Sequence, residues 1–89
     1  MNTSIYKLAD NVLFQKVAEE TVILEPETGE YFTLDAVGTF MIETLQSGNN
    51  ITQTLLAVSD NYDTNGADIT TDLSNLVEEI QQKGLLIEL

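Results

Sequence analysis

The chain has no cysteine, histidine, tryptophan or arginine, and only one proline and three lysines among its 89 residues. Without cysteine there is neither a disulfide framework nor a thiolate metal site. Without histidine the commonest general base, the commonest metal ligand and every imidazole-dependent triad are gone. Carboxylates alone could hold a hard cation, but no EF-hand spacing of acids and glycine is present. With so few cations the chain would be repelled by phosphate backbones and by anionic membrane surfaces, which argues against both as partners. No apolar run approaches the roughly 18 residues of a membrane span. Residues 1–11 carry no basic region followed by an apolar core, so no secretory signal is expected and a cytoplasmic location is.

What is present is acid and apolar side chains. Fifteen acids against three lysines give a formal charge of −12, and 43% of residues are hydrophobic. This suits one small domain over residues 1–89 with a single core. The excess charge keeps the chain soluble, and it would also steer a basic peptide or a basic patch on a partner enzyme. A core this small, with an open sheet edge, permits a homodimer or strand swapping.

The order of local patterns runs from extended to helical. Residues 5–8, 12–17 and 21–25 read as strands, and the unbroken run Val22-Ile23-Leu24 suggests that both of its faces are covered. Pro26-Glu27-Thr28-Gly29 is a turn, with proline fixing φ at its first corner and Gly29 free to take positive φ at its last. Residues 30–34 resume the strand and complete a hairpin. Asp35 is placed to cap a helix that puts Val37, Met41, Ile42 and Leu45 on one face, with Phe40 beside them. Gly38 within that helix costs about 1 kcal/mol of propensity and is expected to mark the close passage of another backbone. Residues 47–50 end the helix. Thr52 is the expected cap of a second helix, with Ile51 as its staple and Leu55, Leu56, Val58 and Tyr62 facing inward.

Residues 61–66 are a polar connector. A third helix is predicted from about residue 67 to 83, with Ile69, Leu73, Leu76, Val77 and Ile80 as its apolar stripe and Gly84 as its stop. Residues 85–89 read as a final extended tail. The result is an α+β fold: a small antiparallel sheet or hairpin, then three helices on one of its faces, as in a winged helix-turn-helix.

Three blocks of this chain resemble the family of pyrroloquinoline quinone biosynthesis protein D, stand-alone recognition elements for ribosomally made and modified peptides. The first is Val22-Ile23-Leu24 through Thr28-Gly29-Glu30-Tyr31-Phe32-Thr33-Leu34. The second is Asp35-Ala36-Val37-Gly38 followed by Met41-Ile42-Glu43-Thr44-Leu45. The third is Asp72-Leu73 through Lys83-Gly84-Leu85-Leu86. The chain departs from the family's pattern at Asp35, usually asparagine, at Ile42, often tryptophan, and at Thr70 and Thr71, often basic.

The resemblance implies an adaptor without catalysis or cofactor. Such a protein captures the leader segment of a precursor peptide and presents it to a modifying enzyme such as a radical SAM enzyme, a leader peptidase or a cyclase. The leader would add as a strand to Glu30, Tyr31, Phe32, Thr33 and Leu34, in a groove against the third helix. On that helix the resemblance directs attention to Asp68, Asp72, Leu73, Asn75, Leu76 and Glu79. Backbone hydrogen bonds from an open edge supply affinity and side-chain pockets supply selectivity. Within the strand, Tyr31 and Thr33 share one side, and Glu30, Phe32 and Leu34 the other. Phe32 and Leu34 are expected in the core. Leu73 and Leu76 either fill the core or floor the groove, and Asp72, Asn75 and Glu79 are either a solvated face or partners for the leader.

Other classes fit less well. An acyl carrier is also small and acidic but needs a serine at a helix start within Asp-Ser-Leu, where this chain has Asp72-Leu73-Ser74. A winged-helix DNA binder needs a basic recognition helix, and the third helix offers Lys83 alone. The adjacent acid pairs Glu19-Glu20 and Glu78-Glu79 diverge in direction and form no catalytic constellation.

Overall fold

The computed structural model describes residues 4–63 and 68–89. The elements are β1 (Tyr6–Leu8), β2 (Leu13–Val17), β3 (Glu20–Leu24), β4 (Tyr31–Leu34), α1 (Ala36–Gln46), α2 (Ile51–Asn61), α3 (Ile69–Gln82) and β5 (Leu86–Glu88). Strands β2, β3 and β4 form an antiparallel sheet in that order, and β1 pairs with β5 in a separate two-stranded ribbon. The α+β architecture expected from the sequence is the one observed. The start of the expected third helix, residue 67, and residues 64–66 of the connector lie outside the described residues. No helix among the described residues is long and apolar enough to cross a membrane.

Local chemistry sets the joints. Ala18 and Glu19 turn β2 into β3, with Ala18 at φ 58°. The loop from β3 to β4 is held by Glu25, whose carboxylate accepts from the Glu27 and Thr28 N–H groups while its carbonyl accepts from Gly29 N–H. Gly29 takes φ 78°, as the turn requires. Asp35 caps α1 by accepting from Gly38 N–H at 2.7 Å. Gly38 does not mark a passing backbone. A Cβ there would meet the Asp35 Oδ1 at 3.2 Å and the Leu34 Cδ2 at 3.3 Å, so it is the cap itself and the end of β4 that crowd this position.

Helix α2 starts differently from expectation. Its cap is Asn50 rather than Thr52: Asn50 Oδ1 accepts from Gln53 N–H at 2.8 Å, and the Gln53 side chain accepts from Asn50 N–H at 2.9 Å. This reciprocal pair satisfies two otherwise orphaned donors. Nor does Leu56 face inward. It is 63% exposed, and the helix buries Thr54 and Val58 instead, with Leu55 and Tyr62 at the margin. At the end of α3, Gly84 N–H bonds Gln81 C=O and Leu85 N–H bonds Ile80 C=O, both at 3.0 Å. With Gly84 at φ 76°, this is a Schellman closure that turns the chain sharply into β5.

The core lies between the sheet and the helices. Ile23 and Leu34 from the sheet meet Met41, Ile42 and Leu45 of α1, Val58 of α2, and Leu73, Val77 and Ile80 of α3. The Val22-Ile23-Leu24 run is covered on one face only. Thr21 and Ile23 are buried under the helices, while Val22 and Leu24 stay half-buried among their cross-strand neighbours Gln15, Thr33, Leu13 and Tyr31.

Candidate functional site

Strand β4 pairs with β3 along one edge, and among the described residues no strand occupies its other edge. Which of its backbone groups face outward follows from the ladder. Glu25 N–H donates to Glu30 C=O at 2.9 Å, so residue 30 turns its polar groups towards β3. Antiparallel pairs alternate, so Phe32 and Leu34, opposite Ile23 and Thr21, do the same. The N–H and C=O groups of Tyr31 and Thr33 therefore point to the open edge. Their side chains project away from the core, and Tyr31 is 62% exposed. Phe32 is half-buried and Leu34 fully buried, which places both in the core as expected.

Helix α3 runs antiparallel to β4 across this edge. A hollow of about 620 Å³ lies at one end, lined by Phe32, Thr33 and Leu34 from the strand and by Ile69, Asp72 and Leu76 from the helix. A shallower hollow of about 390 Å³ lies at the other, where residues 30–33 face Glu79 and Lys83. The helical residues 69, 72, 76, 79 and 83 are spaced 3, 4, 3 and 4, so they form one continuous face. Lys83 Nζ lies 3.6 Å from the Glu30 carboxylate and ties the end of α3 to the start of β4.

Among the expected site residues, the structure brings Glu30, Tyr31, Phe32, Thr33 and Leu34 together with Asp72, Leu76 and Glu79 along these two hollows. It does not bring in the others. Leu73 is completely buried in the core, one helical position round from the groove face. Asn75 is exposed and lines neither hollow. Asp68 caps α3, accepting from Thr71 N–H at 3.1 Å and Thr71 Oγ1 at 2.8 Å. The backbone bond first, and then the hydroxyl bond, hold its carboxyl below the usual aspartate range. Sequence reasoning missed Ile69 and Lys83 as groove residues; their position in the 3-4 spacing with Asp72, Leu76 and Glu79 was the available signal. Among the described residues no group of three or more acidic side chains is arranged to hold a metal ion.

A hairpin with a free outer edge, three helices and a groove between that edge and the last helix define a winged helix-turn-helix module. Its wing offers main-chain hydrogen bonds, and its last helix carries acids instead of the cations a nucleic acid needs. Residues 20–86 match the family of coenzyme PQQ synthesis protein D, and the chain belongs to that family. A solved structure described as TbiB1 in complex with the TbiA(beta) leader peptide is 30% identical in sequence, with a TM-score of 0.78. The match covers 90% of this chain and 93% of that one. A lasso peptide synthetase B1 complexed with its leader peptide shares the fold, with a TM-score of 0.81 over 92% of this chain and 96% of that one, at 18% identity. No curated protein sequence matches the chain. The family resemblance read from the three sequence blocks is thus borne out.

Proposed function

We propose that this protein is a leader-peptide recognition element. It binds the leader segment of a ribosomally made precursor by adding it as a strand to β4, and it presents the precursor to a modifying enzyme. The observation that carries this reading is the outward-facing N–H and C=O pair on each of Tyr31 and Thr33, beside a groove roofed by α3. Such an edge accepts many sequences through its backbone, and the two hollows select among them. A 30% identical relative bound to a leader peptide supports the same use here.

The role is that of an adaptor, without chemistry of its own. The enzyme served belongs to the radical SAM, leader peptidase or cyclase classes, acting in the cytoplasm where the precursor is made. Amide hydrogen exchange tests the binding mode. Adding a leader peptide encoded beside this chain's reading frame should slow exchange at Tyr31 and Thr33. Saturable binding with those two amides unmoved would overturn strand addition.

A further inference from the structure

The larger hollow has a floor and a rim of different chemistry. Val37 and Met41 of α1, Tyr62 after α2 and Leu76 of α3 make it apolar inside. Four carboxylates stand on its rim: Glu20, Asp35, Asp63 and Asp72. Asp35 already serves the N-cap of α1. No lysine lines the hollow. The chain has only three, and each is paired elsewhere: Lys7 with Asp10, Lys16 with Glu43 and Lys83 with Glu30. Among the described residues, then, no lysine lines this hollow beside Glu20 and Asp72.

We infer that the guest strand brings a cation. The hollow takes a bulky apolar side chain of the guest, with a lysine or arginine two residues away that reaches Asp72 and Glu20. The spacing follows from strand geometry: on an added strand only alternate residues face the groove, about 7 Å apart. An apolar anchor in the floor and a cation at the rim must therefore sit at i and i±2, and a cation at i±1 points away. The long aliphatic stems of lysine and arginine can lie along the apolar wall while the charged head stays at the wet rim. This rests on strand addition to β4 and names the chemistry of the guest that the same groove prefers.

A display selection of random dodecapeptides on the full chain tests it. The expected outcome is a set of binders with lysine or arginine two positions from a large apolar residue. Their affinity should fall about three- to ten-fold in the Glu20→Gln/Asp72→Asn variant at low salt, as expected for two exposed ion pairs. The difference should shrink in 0.5 M salt, where exposed charges are screened. Binders that lose affinity with Thr33→Pro but show no such cation, or none of this salt dependence, overturn the inference and leave strand addition standing. Binders indifferent to Thr33→Pro, or no binders at all, overturn strand addition and this inference with it.

Discussion

The Thr39 hydroxyl of α1 donates to the Thr21 hydroxyl of β3 at 2.9 Å, inside the core. It is a side-chain hydrogen bond joining the first helix to the centre of the sheet that carries the open edge. Replacing Thr39 alone with valine strands a buried hydroxyl, which costs about 1–3 kcal/mol. Replacing both with valine removes donor and acceptor together. The double variant should therefore be less destabilised than the sum of the singles, and denaturant unfolding of the four proteins measures that coupling.

Thr33→Pro removes an N–H that faces the open edge and leaves the β3 ladder whole. Peptide affinity should fall about three- to ten-fold, the worth of one net hydrogen bond, while the melting temperature changes little. Phe32→Pro is the counterpart. Its N–H belongs to the ladder opposite Ile23, so this variant should lose the fold itself. Fluorescence anisotropy and circular dichroism separate the two outcomes, and equal behaviour of the pair would contradict the assigned ladder parity.

Leu73 and Leu76 are three residues apart on α3 and should respond in opposite ways. Leu73 is fully buried, so Leu73→Ala should cost about 2–5 kcal/mol of stability. Leu76 floors the larger hollow and is only half-buried. Leu76→Ala should cost less stability and weaken peptide binding more. Thermal melts and binding isotherms on both variants check the split.

Asp68 provides a pH signature. Its two bonds from Thr71 favour the charged carboxylate, so its folded pKa lies below its unfolded value. The stabilisation is then complete above the ordinary aspartate pKa of about 3.9 and fades as the pH falls through the lower folded value. A carbon-detected NMR titration should place the Asp68 midpoint below that of a free aspartate. Thr71→Val should move it partly back, because the hydroxyl bond goes while the backbone bond stays. An unchanged midpoint in Thr71→Val would mean that the backbone bond acts alone.

How legible the fold was depended on whether the deciding chemistry was local. The Pro26–Gly29 turn, the Asp35 cap and the Gly84 stop are each specified by a few adjacent residues, and all three stand as read. At the start of α2, Asn50 and Thr52 are both good caps. Gln53, three residues after Asn50, settles the choice, because only that spacing closes the reciprocal pair. For α3 the apolar stripe was plain, but its rotation against the sheet was not. A helix with Ile69, Leu73, Leu76, Val77 and Ile80 on one side can turn any of them to the core, and only packing against α1, α2 and β5 puts Leu73 inside and Ile69 and Leu76 on the groove. By residue type Leu56 reads as inward, yet position 54 takes the core through Thr54, whose hydroxyl bonds back to Asn50 C=O.

The β1–β5 ribbon is the most non-local element of the fold. Leu8 pairs with Leu86, Leu89 N–H bonds Ile5 C=O, and the Ser4 hydroxyl donates to the Glu88 carboxylate. On a ribosome, the first strand thus emerges long before its mate exists. Until residues 86–88 emerge it lacks its ladder partner. Seams between residues far apart in a chain close slowly, because a large loop must be gathered before any reward arrives. This clasp should therefore close later during synthesis than the β2–β3–β4 sheet.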